Sequence, residues 1–312
     1  MSAGLAKLFD KAFVLGYALP ALVFLSIAVA LFGCPTTLCD TTQPNANPFA
    51  DLTYAAIGVY LLGVVLLVIN YGLYRLFEGY IPPTSWLTFA KEFHQNRLEQ
   101  RRTEIAKLGQ DPRVGTLIWQ LRMQYPDCVS EVLPTAFGNA IRAFELYPAD
   151  MYGADSISVW PRLLAVVSKD VQTLINEAKA LVDLGVNLCA LALVYFVFAS
   201  GSALLELAGV ALPFGAPHAG GSWAVVALVA LAAAAASYRS ALACVPDWGE
   251  TVKSAFDCYL PALGHTLGYA LPAQPKARRK TWEALSRQFL YGEVATLAHT
   301  SPDDHKEHDD GA

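Results

Sequence analysis

Four apolar runs alternate with polar segments along the chain, and each is long enough to predict a membrane-spanning helix. A helix needs about 20 apolar residues to cross a hydrocarbon core of about 30 Å. Each run meets or nearly meets that length, and no charged residue lies at its centre. The runs cover about residues 12–33, 52–74, 184–205 and 223–238. We therefore predict an all-α protein with four transmembrane helices.

The long polar segments predict a helical domain outside the membrane. About 110 residues separate the second and third runs, and about 75 follow the fourth. Apolar side chains recur at helical spacing within about 86–108, 112–126 and 135–146, which predicts three helices. The predicted segments are a transmembrane hairpin at 1–77, a helical segment at 78–180, a second hairpin at 181–245, a helical segment at 246–300 and a disordered acidic tail at 301–312.

The sequence also predicts where helices are interrupted. Residues 152–159 alternate between apolar and polar side chains, which predicts a short extended piece. Pro161 then restarts a helix that can continue to about residue 208. Pro246 and Pro261 are expected to interrupt the helix after the fourth span, because proline lacks an N–H. A continuous third helix is either a rigid coupling between span and domain or a simple stalk.

The distribution of basic residues predicts the orientation. None of the 22 Lys and Arg residues lies in 34–51 or 210–222, the two segments that connect spans on one side. Cytoplasmic loops are enriched in Lys and Arg, so both termini are predicted to be cytoplasmic. The net charge of −5 comes with no wide basic surface for nucleic acid, and no nucleic-acid partner is predicted.

Few polar residues interrupt the spans. No ionisable side chain lies at a span centre, which argues against proton-coupled transport. Asn70 and Asn187 lie at similar depth near the inner ends of the second and third spans. They are predicted to form an interhelical hydrogen bond or, alternatively, to line a pore. Pro20 is predicted to kink the first span and to free a backbone carbonyl.

Two cysteines fall in the first segment that is predicted to be external. Cys34 and Cys39 are five residues apart in a Pro- and Thr-rich loop. An oxidising compartment would allow a disulfide between them. The alternative is a pair of unbonded thiols, and the sequence leaves both open.

A dense cluster of polar and aromatic side chains predicts a ligand or partner site in the middle segment. Arg142 and Glu145 are three residues apart, so they share a helix face and can pair. The whole cluster offers guanidinium, carboxylate and aromatic groups to an anionic ligand or a partner, or it ties a loop to a helix start. Its members are Asn139, Arg142, Glu145, Tyr152, Asp155, Trp160 and Arg162.

The same segment resembles a group of uncharacterised bacterial multi-pass membrane proteins. The residues that carry the resemblance are Leu133-Pro134-Thr135, Gly138-Asn139, Arg142, Glu145, Tyr152-Gly153-x-Asp155 and Trp160-Pro161-Arg162-Leu163. The resemblance covers about thirty residues and implies a bacterial inner-membrane location without a known activity. Four spans with internal termini are also similar in architecture to bestrophin-type anion channels, although no bestrophin motif is present, and fold analogy does not give function.

A basic cluster precedes an amphipathic stretch near the C-terminus. It is predicted to contact anionic lipid headgroups or, alternatively, to form the solvated end of a helix that packs on the domain. Its members are Lys276, Arg278, Arg279, Lys280 and Trp282.

The motifs and the charge pattern together lead to a functional hypothesis. The chain has no phosphate-cradling glycine loop, no Gly-x-Ser-x-Gly and no metalloprotease motif, so we predict no enzyme, no cofactor and no metal site. The leading hypothesis is a membrane-anchored interaction or signalling module. Its predicted partners are membrane lipids, further copies of the chain and a cytoplasmic protein. The alternative is an oligomeric ion channel of bestrophin-like architecture.

Overall fold

A computed structural model describes residues 10–32, 48–82, 84–210 and 222–293, and within these ranges the chain is helical and has no strand. The all-α prediction is confirmed. The helices are α1 (Lys11–Phe32, with a π-helical turn at Val14–Ala18), α2 (Pro48–Phe77), α3 (Thr88–Lys107), α4 (Val114–Gln124), α5 (Ala136–Tyr152), α6 (Ser156–Leu163), α7 (Lys169–Leu207), α8 (Trp223–Thr266) and α9 (Pro275–Tyr291).

Four of these helices, α1, α2, α7 and α8, are long and apolar enough to cross a membrane. Their exposed faces are apolar, as a hydrocarbon solvent requires; on α2, for example, Leu61, Val65 and Val68 are exposed. The prediction of a membrane protein with four transmembrane helices is confirmed. Cys34, Cys39 and the predicted acidic tail lie outside the described residues.

The chain divides into two compact units. The transmembrane unit comprises Met1–Pro82 and Asn176–Val245, and the helical unit comprises Pro83–Ile175 and Pro246–Ala312. Helices α7 and α8 supply residues to both.

Close helix packing holds the transmembrane unit together. A first cluster joins α1, α2 and α7 through Phe13, Tyr17, Leu66 and Leu191. Small residues bring α7 and α8 together, since a Cβ added at Gly185 would lie 2.8 Å from the backbone nitrogen of Ala241. Near the end of α1 three aromatic rings meet with centroids 5.4 to 5.7 Å apart: Phe32, Phe198 and Trp223.

The helical unit has a core that α5, α6, α8 and α9 share. Its α9 side chains are Trp282 and Leu285, both almost fully buried. The ring of Phe144 packs on the ring of Trp248 and on the bare backbone of Gly249. Separately, α3 and α4 pack through a smaller cluster that contains Leu98, Tyr125 and Val132.

The predicted extended piece at 152–159 is wrong, because α5 continues through Tyr152 and α6 begins three residues after Gly153. Gly153 has φ +75° and ends α5 in the left-handed conformation that glycine adopts without strain. Asp155 then caps α6, where its carboxylate accepts the Ser158 N–H at 2.7 Å. The apolar–polar alternation reflects a helix end and a new helix start.

The predicted breaks at proline also need correction. The helix does not run unbroken from Pro161, since α6 ends at Leu163 and α7 begins at Lys169. Conversely, α8 continues through Pro246 and Pro261. Each proline removes one helical hydrogen bond, and the residue before each proline, Val245 or Leu260, is buried.

Candidate functional site

A π-helical turn in α1 creates the first element of a polar cluster. Pro20 has no N–H to donate to the carbonyl of Gly16, four residues earlier, and the turn at Val14–Ala18 widens just before it. The Asn187 Nδ2 of α7 donates to this Gly16 oxygen at 2.8 Å. This oxygen is the one that Pro20 is predicted to free, and π turns of this kind are frequent at functional sites.

Gly16 also lets α7 approach closely. A Cβ at Gly16 would lie 3.1 Å from the Cβ of Asp183. The next residue, Tyr17, donates its hydroxyl to Asp183 Oδ2 at 3.0 Å. The π turn therefore brings the Gly16 carbonyl to Asn187 and the Tyr17 hydroxyl to Asp183, which lie one turn apart on α7.

Helix α2 contributes two side chains from one face. Asn70 and Tyr74 are four residues apart, and both reach the same carboxylate. The Tyr74 hydroxyl donates to Asp183 Oδ1 at 2.7 Å, and Asn70 Nδ2 donates to that oxygen at 3.3 Å. Asn70 Nδ2 also donates to the Tyr17 hydroxyl, so α1 and α2 are linked directly as well as through α7.

The positive partner comes from α7 itself. Lys179 lies one turn before Asp183, and its Nζ is 2.8 Å from each carboxylate oxygen. The same ammonium lies 4.9 Å from the centre of the Tyr74 ring. The Asp183 side chain is 5% exposed and the Lys179 side chain 34%. We refer below to Asp183, Tyr17, Asn70, Tyr74 and Lys179 as the Asp183 cluster.

The position of the Asp183 cluster along the helices indicates its depth. Lys11 at the start of α1 and Glu177 of α7 form an ion pair at 2.8 Å with both side chains well exposed. Asp183 lies six residues further along α7, which at 1.5 Å per residue is about 9 Å. The headgroup region adds about 5 to 7 Å on each side of the hydrocarbon core. If the Lys11–Glu177 pair marks the aqueous boundary, Asp183 lies near the edge of the hydrocarbon.

The geometry of the Asp183 cluster suits a latch between helices. Oδ1 accepts three hydrogen bonds and Oδ2 two, so the carboxylate is saturated by groups from α1, α2 and α7. Among the described residues, the buried oxygens Asn70 Oδ1 and Asn187 Oδ1 make no hydrogen bond. One ion pair and five hydrogen bonds to a single carboxylate thus lie at one point of the transmembrane unit.

The structure places the predicted pair, Asn70 and Asn187, in this junction but with different partners. Both amides are buried, and each donates to α1 or to Asp183. The prediction missed the residue at the centre, since Asp183 lies one position before the third span as predicted from hydropathy. The spacing of polar residues could have predicted it. Lys179, Asp183 and Asn187 recur every four residues on α7, and Asn70 and Tyr74 do so on α2, so each set lies on one face of its helix.

In the helical unit the predicted cluster does not converge on one pocket, and Asn139 shows why. Its side chain is fully buried. Its Oδ1 accepts the Leu133 N–H at 2.7 Å, and its Nδ2 donates to the carbonyls of Leu133 and Thr135 at 2.9 and 2.8 Å. All three bonds fix the turn that precedes α5.

The charged members of the predicted cluster also have local partners. Arg142 donates to Glu131 at 2.6 Å and to Glu145 at 3.4 Å. Asp155 caps α6, and its backbone N–H donates to the Ser286 hydroxyl at 2.8 Å. The Arg142 contacts join α5 to the turn that contains Glu131, and the Asp155 contact joins the start of α6 to α9.

The aromatic members pack against α8 and α9. Tyr152 donates to Asp257 Oδ1 at 2.7 Å, and burial together with this bond raises the pKa of its phenol. The Trp160 ring lies 5.8 Å from that of Phe256. The Arg162 guanidinium stacks 3.9 Å from the centre of the Phe289 ring and donates to the Ser158 carbonyl at 2.6 Å.

Of the residues near the C-terminus that are predicted to contact lipid, some are exposed, some are hydrogen-bonded within the helical unit and one is buried. Lys276 and Lys280 are exposed. Arg278 donates to the Pro272 carbonyl at 3.1 Å, and Arg279 donates to the Asp150 carbonyl at 2.5 Å. The prediction of a headgroup contact for Trp282 is wrong, since this side chain is 1% exposed in the core of the helical unit.

Comparison with known proteins gives no family for the chain. It matches no protein-family model, no curated protein and no solved structure. Within the described ranges, no group of three His, Cys, Asp or Glu side chains is arranged to bind a metal ion.

Proposed function

We propose that the protein is a membrane-anchored interaction and signalling module of the bacterial inner membrane, with both termini in the cytoplasm. The observation that supports it is the position of the Asp183 cluster on α7. This helix runs without a break from Lys169 to Leu207, and its residues up to Ile175 belong to the helical unit. A change in the Asp183 cluster therefore acts on a helix that both units share.

The Asp183 cluster contains a group that an outside signal can reach. The Lys179 side chain is partly exposed, whereas Asp183 is buried. Competition for the ammonium, by an anionic headgroup or another acceptor, would leave a buried carboxylate without its counter-charge. An uncompensated buried charge is strongly unfavourable, so α7 would shift until the carboxylate is solvated or paired again.

Hydrogen–deuterium exchange tests this coupling. We expect Asp183→Asn, which keeps the shape of the side chain but removes its charge, to increase amide exchange at 169–175 in proteoliposomes. Gly201→Ala on the same helix is the matched control, because no atom lies within 4 Å of the added Cβ. Unchanged exchange at 169–175 in Asp183→Asn, in a folded protein, would contradict the coupling.

Thiol labelling tests the orientation. Cys128 and Cys258 are exposed, so burial does not protect them from a reagent. A membrane-impermeant maleimide added to intact cells should spare both and label them after lysis. Labelling of Cys128 in intact cells would contradict the proposed orientation.

The alternative, an oligomeric channel, makes a different prediction. A pore lined by Asn70 and Asn187 would give ion flux in liposomes that either substitution abolishes. Both amides are buried against α1 within one chain, which favours the module.

Ala232, Ala235 and Ala236 form an exposed face of small side chains on α8, which supports packing against a further copy of the chain. Native mass measurement in mild detergent tests that association, and a monomer would exclude it.

A further inference from the structure

Three aromatic side chains form an exposed stripe at the start of α3. Trp86, Phe89 and Phe93 are 78%, 81% and 52% exposed. Trp86 lies in the 3-10 turn Thr84–Leu87 just before α3, and Phe89 and Phe93 follow one helical turn apart in the first turns of α3. The three side chains are named the aromatic stripe below. Exposed apolar patches of this kind mark protein or membrane interaction sites.

The aromatic stripe is not the face that holds α3 in the helical unit. Leu98, on another face, is fully buried against Tyr125 and Val132. His94 Nδ1 is hydrogen-bonded to the Tyr125 hydroxyl at 2.9 Å on that same side. Helix α3 is thus anchored through one face, and the aromatic stripe is left for a different contact.

A short covalent connection links the end of α2 to the aromatic stripe. The Arg75 carbonyl accepts the N–H groups of Tyr80 and Ile81 at 2.9 and 3.3 Å, and the Arg75 guanidinium stacks 4.0 Å from the Tyr80 ring centre. The chain therefore stays at the end of α2 as far as Ile81. Only four further peptide steps lead from Pro82 to Trp86, a reach of at most about 14 Å.

The charge of α3 matches an anionic surface. Exposed Trp and Phe side chains next to a helix with a net positive charge suit the boundary of an anionic membrane, because Trp is enriched at that depth and Lys and Arg attract anionic lipid. The basic residues exceed the acidic ones by five to three: Lys91, Arg97, Arg101, Arg102 and Lys107 against Glu92, Glu99 and Glu104.

We propose that the aromatic stripe inserts into the headgroup region of the membrane that α2 crosses, with anionic phospholipid as its preferred partner. The short connection from α2 keeps it within reach of this interface. The stripe then anchors the helical unit at a second point, in addition to its covalent links to the transmembrane helices. The proposal is independent of the Asp183 cluster.

Nitroxide spin labels measure the depth of the aromatic stripe. Single cysteines are introduced as Trp86→Cys and Phe89→Cys after replacement of the six native cysteines by serine. The full-length protein is reconstituted in phosphatidylcholine vesicles with and without phosphatidylglycerol. Collisions with oxygen, which partitions into lipid, are compared with collisions with a water-soluble nickel chelate. Glu99→Cys is the matched control, because Glu99 is exposed on α3 away from the stripe.

We expect labels at 86 and 89 to collide with oxygen more than with the chelate, whereas the label at 99 should collide more with the chelate. Labels at 86 and 89 should also lie deeper in the membrane when phosphatidylglycerol is present. Chelate access at 86 and 89 equal to that at 99 would overturn the proposal. Equal depth in both vesicle types would overturn the preference for anionic lipid.

Two other occupants give distinct results. Spin–spin broadening between labels at 86, in vesicles and in detergent alike, would assign the aromatic stripe to a contact between copies and overturn the lipid proposal. Exclusion of both collision reagents without broadening would assign it to other protein surface, with the same consequence. The thermal unfolding temperature of each variant shows that the fold is intact, since neither side chain is part of the core.

Discussion

The two units satisfy buried polar side chains in opposite ways. In the transmembrane unit, donors from α1, α2 and α7 converge on one carboxylate, Asp183. In the helical unit, Asn139 and Asp155 bond to backbone groups of the adjoining turn: Asn139 donates to the Thr135 carbonyl, and Asp155 accepts the Ser158 N–H. The carboxylate that two side chains share there, Asp257 with Tyr147 and Tyr152, is exposed. Few polar groups lie within the spans, so those that do must share partners.

This difference predicts how each unit responds to damage. A lost acceptor in the transmembrane unit leaves several donors unpaired at once, since lipid offers no replacement. A lost group in the helical unit affects one turn, and water reaches many of the neighbouring positions. We therefore expect a single dominant position in the transmembrane unit and several intermediate ones in the helical unit.

The largest effect is expected for Asp183→Leu. The substitution removes the carboxylate that accepts from Lys179, Tyr17 and Tyr74, and it leaves Asn70 Nδ2 with the Tyr17 hydroxyl alone. Removal of one partner of a buried ion pair costs about 3 to 5 kcal/mol, and we expect a loss of that size in the free energy of unfolding. Unfolding in mixed micelles, followed by circular dichroism, measures it.

Tyr74→Phe is the matched control for this substitution. It removes one of the five hydrogen bonds to Asp183 and keeps the ring, so we expect a loss of about 1 kcal/mol. If Asp183→Leu were no more harmful than Tyr74→Phe, the Asp183 cluster would not act as one connected latch, and the contrast between the units would disappear.

Asn139→Ala is expected to have the largest effect in the helical unit. It removes three hydrogen bonds to the half-buried turn before α5: the Leu133 N–H and carbonyl lose the Asn139 side chain, whereas the Thr135 carbonyl still accepts the Asn139 backbone N–H. We expect a cost of about 3 kcal/mol. Asn139→Asp keeps the acceptor for the Leu133 N–H and should cost less. Chemical denaturation of the two variants measures both losses. A loss larger than that of Asp183→Leu would reverse the comparison.

Gly185→Ala tests close packing in the transmembrane unit. The added Cβ would lie 2.8 Å from the backbone nitrogen of Ala241, so α7 and α8 must separate. We expect a net loss of about 2 kcal/mol, as for other overpacked sites. Gly201→Ala on the same helix should be neutral or slightly stabilising, because alanine favours helix. Equal unfolding temperatures for the two variants would mean that the contact adjusts without cost.

The sequence predicts the helices better than it predicts their ends. Apolar runs locate all four spans because lipid imposes a length and a composition that few soluble segments share. The predictions failed at 152–159, where a cap and a helix end imitate strand alternation, and at Pro246 and Pro261, where tertiary packing outweighs one missing hydrogen bond.

The centre of the candidate site was not predicted for a related reason. Hydropathy marks a span by its lack of charge, so a span predicted that way starts after Asp183 and leaves out the residue that joins three helices. Asn70 and Asn187 were found because they lie inside the apolar runs. Their partners, Tyr17 and the Gly16 carbonyl, depend on the π turn of α1, which no local sequence pattern specifies.

The smallest expected effect concerns His94, between α3 and α4. Burial and the nearby Arg97 lower the pKa of this imidazole below its ordinary value of 6.5. The neutral ring therefore stabilises the folded state above about pH 6.5, and this contribution is lost as the pH falls through the lowered pKa.

Thermal unfolding at about pH 7.5 and about pH 5 measures this loss. The unfolding temperature should decrease at the lower pH, and the decrease should be smaller in His94→Gln, which does not titrate. An equal decrease in both proteins would locate the acid sensitivity elsewhere, and an increase at low pH would contradict the sign. Because the His94–Tyr125 contact joins only α3 to the end of α4, the loss should stay within these two helices.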